Sequence, residues 1–505
     1  MQDSLRRLLA LATCAAMSAM LGAPSFAAPW QESGSTEGGS GEEAGAADEE
    51  EEDKDAVERW FALLNGEVHT GTGAVLRGAT ILARNGKITE IGFDVFVPAE
   101  AKTLDVRGMR VYPGIVAVSS QGLLGSSSSD LEDTIDPFNS RMTLGLAAGI
   151  TSTGLSSSAA KLKRFSVDGV LLRDKIYTSL SWSNRNPSGK RSLREKLAGA
   201  SAYLRKYRAW EEKVKEDKEL KEPSKKGVDT AVLSVLKGET TAKFVANDRD
   251  DLLGIAQIAR EYGFRPVIQG CIEGWTVADE LGRAGAFAIV TPRDRRAKDE
   301  QLTSAGGSSI ENAAILHRSG VQVAVTPATE SVDLGGIVGR DIQAITIEAG
   351  FAIRGGLPED AALASITTVP ARILGVSHRV GTLEVGKDCD AIVTDGDLLH
   401  YRTFVQYAVV DGKLAYDKEK ELFFAHIRPR PAPPEAEKKL DKGETAEEAK
   451  PAQAEEDPKD AEKEKDESAN GKDEKKEEDK EKEKDEKVGD ENGEQDAEEP
   501  PDDGS

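Results

Sequence analysis

Apolar and polar residues alternate with a period of two in short runs towards both ends of the chain. Ala79-Thr80-Ile81-Leu82-Ala83 leads into Asn85-Gly86, and Lys87-Ile88-Thr89-Glu90-Ile91 alternates back. Two such runs around a turn that tolerates positive φ predict a hairpin. Residues 382–386, 389–393 and 407–410, the last before Asp411-Gly412, follow the same pattern. The two flanking segments are expected to join in one small composite β-sandwich. Between them the pattern changes. Apolar strands at 111–118, 243–246, 266–269, 287–290 and 321–325 alternate with helical stretches. The clearest helix is 250–262, with Leu252, Leu253, Ile255, Ile258 and Ala259 on one side and Gly263 as its stop. Strand–helix alternation on this scale predicts an α/β fold, a TIM-type (β/α)8 barrel of parallel strands. A charged insertion at about 192–226, dense in Arg and Lys with Tyr203, Tyr207 and Trp210, predicts a long helix lying on the surface.

Charge changes the picture at the ends. The chain carries a formal net charge of −24, but 31–55 contributes −10, 431–505 contributes −17 and 1–30 contributes +1, leaving 56–430 at +2. Both acidic segments are too poor in aromatic and branched residues to offset their chain entropy by burial, so they predict solubilising disorder. Such a chain repels phosphates, which argues against a nucleic-acid partner. Arg6 and Arg7 precede an apolar run at 8–21, and Ser25-Phe26-Ala27 has small residues at both cleavage positions. This predicts a signal peptide and a periplasmic or secreted protein with no membrane insertion once the signal is removed. An uncleaved anchor is the rival, opposed by Gly22 and Pro24, which break the run. Two cysteines, Cys271 and Cys389, remain after signal removal, so a hydrophobic core rather than a disulfide framework must hold the fold. The expected organisation is a signal peptide at 1–27 and an acidic Gly/Ser-rich linker at 28–60. The sandwich occupies 61–112 and 376–430, the barrel 113–375, and a disordered acidic and Lys-rich tail 431–505.

In a parallel barrel the reacting groups sit at the C-terminal strand ends. Here those ends read Ser119-Ser120-Gln121, Asn247-Asp248, Gly270-Cys271 and Thr326-Pro327-Ala328. The run Val111-Tyr112-Pro113-Gly114-Ile115-Val116 resembles the Pro-Gly entry of the amidohydrolase superfamily, where a His-x-His pair follows. Leu236-Lys237-Gly238-Glu239 and Ala259-Arg260-Glu261-Tyr262-Gly263 are similar to the imidazolonepropionase-like branch. So is the closing run from Gly381-Thr382-Leu383-Glu384-Val385-Gly386 to Asp390-Ala391-Ile392-Val393. The resemblance covers nearly all of 66–416 and implies a metal-dependent hydrolase of C–N bonds, with imidazoles and a carboxylate holding a divalent metal.

Carried over by position, the entry histidines fall on Ser119 and Gln121, and the next pair on Val245 and Asn247. A further histidine falls on Gly270 and the proton-accepting aspartate on Ala328. Every position departs from the pattern. The five histidines of the chain, His69, His317, His378, His400 and His426, all lie away from the predicted strand ends. No catalytic residue, metal ligand or cofactor is therefore assigned, and the six positions define a vestigial pocket. Asp248 and Glu273 form the fallback oxygen-donor site. Cys271 lacks a nearby basic partner and is expected to be a buried small side chain rather than a nucleophile. The serines at 126–129 and 156–158 lack a nucleophile-elbow pattern. The resulting expectation is an exported, non-catalytic binding relative whose partner is a small molecule or a protein such as an active relative. An active hydrolase with a relocated site, using zinc, and a structural envelope protein are the alternatives.

Overall fold

The computed structural model describes residues 58–125, 131–215, 217–218, 220–298, 305–333 and 339–421. The expected signal peptide, nearly all of the linker, the serines at 126–129 and the tail lie outside the described residues.

The two flanking segments do meet. They form one eight-stranded sheet in the order Lys413–Asp417, Val405–Val410, Ala391–Thr394, Arg110–Pro113, Trp60–His69, Val75–Arg84, Lys87–Gly92, with Lys102–Asp105 beside Trp60–His69. The seam is antiparallel, with Val393 opposite Val111 and Ile392 opposite Tyr112. Period-two alternation gives this seam two apolar faces. Val111 and Val393 pack with Leu63, Ile81 and Ile88 in a core of the sheet's own, whereas Tyr112 and Ile392 face the main core. Asn85 (φ 51) and Gly86 (φ 87) turn the expected hairpin.

The strand predicted at 111–118 is divided. Arg110–Pro113 belongs to the large sheet and Ile115–Ala117 to the middle of the chain. Gly114 makes the transfer, because a Cβ there would lie 2.0 Å from Thr151 Oγ1 and 2.5 Å from its methyl. Thr151 is itself buried and has little room to yield. Gly114→Ala should therefore lower stability by about 1–3 kcal/mol, the cost of overpacking a core, measured as a reduced denaturation midpoint. An unchanged midpoint would show that this junction is loose.

The strands predicted to form one ring lie in two sheets. Ile115–Ala117 pairs in parallel with Ile150–Leu155, after which Ser158–Lys161 and Leu171–Arg173 return antiparallel. The second sheet is wholly parallel, in the order Tyr177–Ser179, Thr241–Ala246, Val267–Gly270, Phe287–Val290, Gln322–Val325. Single links span the gaps: Ile176 N–H donates to the Ser157 carbonyl (2.7 Å), and Gln121 N–H to the Glu330 carbonyl (2.8 Å).

Helices pack against one face of these strands. Arg249–Tyr262 buries Leu252, Ile255, Ile258 and Ala259 and ends at Gly263 with φ 75, close to the predicted helix. The charged insertion forms a long helix, with bounds shifted from those expected. Its helix, Pro187–Val214, begins before residue 192 and ends at 214, and it lies against the core by one face with the rest mostly exposed. Asn186 Oδ1 caps Gly189 N–H at 2.9 Å, and Leu193, Leu197, Ala200 and Tyr203 are buried at helical spacing.

One polar cluster ties the first middle sheet to the large sheet. Lys161 is fully buried, with Nζ 2.7 Å from Asp388, 2.9 Å from Asp390 and also paired to Asp411. Arg379 reaches Asp388 and Lys163 reaches Asp411. Three cations thus meet three carboxylates. Burial raises the Asp390 pKa, whereas the lysines hold Asp411 low against its own burial.

Candidate functional site

Alternation along Thr241–Ala246 sends Ala242, Phe244 and Ala246 into the core and Lys243 and Val245 the other way. Lys243 is half-buried, while Val245 is 72% exposed, unusual for a branched apolar side chain in a central strand. In the next strand Gln269 shares the phase of buried Val267. Beyond Gln322–Val325, Thr326-Pro327-Ala328-Thr329 carries the chain to Glu330. This carboxylate organises the strand ends. Its Oε2 accepts from Ser119 Oγ at 2.7 Å and its Oε1 from Gln269 Nε2 at 3.0 Å.

Two further polar groups feel that charge without a hydrogen bond or ion pair to it among the described residues. The Tyr177 hydroxyl is buried without a hydrogen-bond partner, and burial reinforced by Glu330 raises its pKa. Lys243 Nζ lies 5.0 Å from the Tyr177 ring centroid. Burial lowers its pKa, and Glu330 opposes that shift in part. Lys243 stands opposite Ser179 and Val267, level with Phe287 and Gln322, the first residues of their strands, whereas Ser119, Gln269 and Glu330 meet at the C-terminal ends.

The predicted pocket positions divide into pairs. Ser119 joins Glu330 and Gln269, and Gln121 meets the same loop through its main chain, with an exposed side chain. Ala328 is exposed. Asn247 Oδ1 is buried without a partner, and a Cβ built on Gly270, whose φ is +97, would lie 2.2 Å from it. The fallback acids serve elsewhere. Asp248 pairs with Arg296, while Glu273 accepts from Arg249 N–H (3.1 Å) and Gly307 N–H (2.7 Å), which anchors two loops. Cys271 is fully buried and desolvation pushes its thiol up to about 12, so it is a packing residue, as expected.

Sequence reasoning passed over Tyr177, Lys243 and Glu330. The signal for Lys243 was its phase, two residues from Val245 on one strand face. Glu330 was visible as the first acid after the last parallel strand. A cleft of about 770 Å³ also went unseen. It lies towards the N-terminal end of Gln322–Val325, where Arg372 bonds Gln322, and it is lined by His69, Tyr112, His317 and Asp397 among others. Residues far apart in sequence build its walls.

A hydrolytic metal would need several imidazole, carboxylate or thiolate donors converging on one point. At the strand ends the described side chains are Ser119 and Gln269, both bonded to the Glu330 carboxylate, the unpartnered amide of Asn247, and Val245, which has no ligating atom. Among the described residues no group of three His, Cys, Asp or Glu is placed to hold a metal ion. This donor set does not fit the metal of the resemblance.

Residues 278–421 match the Amidohydrolase family. A curated relative, amidohydrolase tasK of Hapsidospora irregularis, is 37% identical over 86 residues, 17% of this chain and 9% of the relative. Among solved structures, an amidohydrolase from Thermotoga maritima MSB8 is 24% identical with a TM-score of 0.55, over 71% of this chain and 100% of that one. A prolidase complexed with N-methylphosphonate-L-proline is 17% identical with a TM-score of 0.44, over 71% and 100%. Residues 278–421 thus carry the amidohydrolase family's sequence pattern, and the chain as described has the fold of a solved amidohydrolase.

Proposed function

We propose that this chain is an exported, non-catalytic amidohydrolase relative whose barrel-like strand ends bind a small molecule or a protein partner without a metal. The observation that carries the reading is the hydrogen-bonded cluster of Ser119, Gln269 and Glu330. It occupies the strand ends where the resemblance calls for metal ligands. Ser119 and Gln269 are poor ligands for a transition metal, and they direct their donors at the carboxylate that a metal would otherwise recruit. The remaining replacements, Gln121, Val245, Asn247, Gly270 and Ala328, supply no charge to a cation. An active relative of the same fold is a natural protein partner for such a chain.

The purified full chain, supplemented with zinc and then dialysed, should hold no stoichiometric metal by elemental analysis. One tightly bound transition metal per chain would overturn the reading. Ser119→Ala supplies a second measure. It removes one donor from Glu330 and should cost about 1–3 kcal/mol of stability, as expected where a partly buried charged acceptor loses a bond. A change below about 0.5 kcal/mol, within the range of an ordinary surface substitution, would show that the Glu330 cluster is solvated rather than built.

A further inference from the structure

We infer that the exposed patch of Phe138, Phe165 and Val167 is the docking surface for the chain's own segment Leu422-Phe423-Phe424-Ala425-His426-Ile427. This contact is independent of the strand-end site and goes beyond it. Phe138 is 74% exposed, Phe165 65% and Val167 52%. The two ring centroids lie 5.7 Å apart, Phe165 N–H donates to the Pro137 carbonyl at 3.0 Å, and Val167 follows two positions along the same loop. Exposed apolar residues scattered singly need no explanation, whereas a grouped set marks a contact surface. The backbone points the same way. Phe165 holds φ 62, in the left-handed region that bulky side chains rarely adopt. A loop that only had to turn there would carry glycine or asparagine. Here the turn presents a ring outward instead.

The occupant follows from what Arg164 holds. Its guanidinium lies 4.9 Å from the Phe165 ring centroid, pairs with Glu421 and donates to the Ala415 carbonyl at 3.2 Å. Glu421 N–H also donates to the Asp417 carbonyl at 3.1 Å. The chain is therefore delivered beside the patch, and Leu422 is one peptide bond further on. The six residues of the segment can extend about 20 Å, ample to cross two neighbouring rings. Composition fits the surface. The segment holds Leu422, Phe423, Phe424 and Ile427, whereas in 428–505 only Leu440 and Val488 are large and apolar. Charge agrees as well. Asp136 accepts from Phe138 N–H at 3.0 Å and Asp168 follows Val167, both exposed, and the segment runs on into Arg428 and Arg430. Docking there fastens the outermost strand of the large sheet, Lys413–Asp417, to the loop between Ser158–Lys161 and Leu171–Arg173.

The test is backbone hydrogen exchange on the full chain, read by peptide mass spectrometry. After correction for intrinsic rates, the amides of 422–427 should exchange at least about tenfold more slowly than those of 444–449 in the acidic tail. Phe138→Ser combined with Phe165→Ser should remove that protection. So should Phe423→Ser combined with Phe424→Ser, which alters no residue of the patch and keeps the test open should the first pair fail to fold. Circular dichroism establishes that each variant is folded. Phe165→Gly separates docking from a purely local role. Glycine relieves the strain at φ 62, so a ring without a partner leaves the denaturation midpoint level or higher when removed. A docked ring gives a lower midpoint and loses the protection. Unprotected amides at 422–427 in the full chain would overturn the inference, as would a level or higher midpoint in the glycine variant. Protection that survives in the folded Phe138→Ser, Phe165→Ser protein would also overturn it. Protection that fades on dilution would do the same, by assigning the segment to a second copy.

Discussion

Replacing Lys161 with alanine should destabilise the chain by about 3–5 kcal/mol, the usual cost of removing one partner from a buried ion pair. The reason is the count of charges left behind. Asp388 and Asp390 are almost fully buried and both lie within 3 Å of the lysine, which is itself inaccessible to solvent. Without it they face each other and Asp411, with Arg379 and Lys163 as the remaining cations. Carboxylates in that position must either stay charged in a poor dielectric or take up protons. The variant should therefore recover stability as pH falls. Asp390, whose pKa burial already raises, then has a folded value above the unfolded one, so its contribution is complete below the unfolded value and is lost as pH rises through the folded one. Asp390→Asn in the Lys161→Ala background should restore part of the loss at neutral pH. Urea denaturation at two pH values reads both effects. A Lys161→Ala loss below about 1 kcal/mol, the ordinary worth of an exposed pair, would mean that the cluster is solvated.

The second large effect concerns rebuilding the implied metal shell. A sixfold variant carrying Ser119→His, Gln121→His, Val245→His, Asn247→His, Gly270→His and Ala328→Asp places every ligand of the resemblance at its position. It is expected to bind zinc weakly, about 10–100-fold below a site with intact orienting partners, because those partners hold each imidazole in place. Two local obstacles sharpen this expectation. Gly270 sits at φ +97, where a side chain is strained, and its Cβ would meet residue 247 at 2.2 Å. Strain of that kind costs about 1–3 kcal/mol. Gln121 and Ala328 are exposed, so their replacements enter solvent rather than a prepared shell. Isothermal titration with zinc and a denaturation midpoint decide the matter. Tight one-to-one binding at unchanged stability would show that only the ligands have been lost. No gain in zinc binding by a folded variant would instead mean that these six positions do not converge.

Much of the fold was legible because it depends on local periodicity. The hairpin around Asn85-Gly86, the helix ending at Gly263 and the parallel strands from Thr241 to Val325 each follow from spacing and from residues with a single backbone use. The joining of the two flanking segments followed from their shared β pattern and the resemblance. The candidate site was legible only in part: Ser119 was marked by its place at a predicted strand end, and the structure bonds it to Glu330, which the sequence pattern did not mark. Tertiary structure decided the rest. Gly114 divides one apolar run between two sheets because Thr151 stands 2.0 Å from where a Cβ would be, a contact across 37 positions of chain. Glu330 reaches Ser119 over 211 positions and Gln269 over 61, and His69 and His317 come to line one cleft. Lys243, one of many lysines in the sequence, is set apart by burial beside an unpartnered tyrosine. Periodicity records which way a side chain faces, but long-range packing chooses its neighbours, and the chemistry of a site belongs to the neighbours.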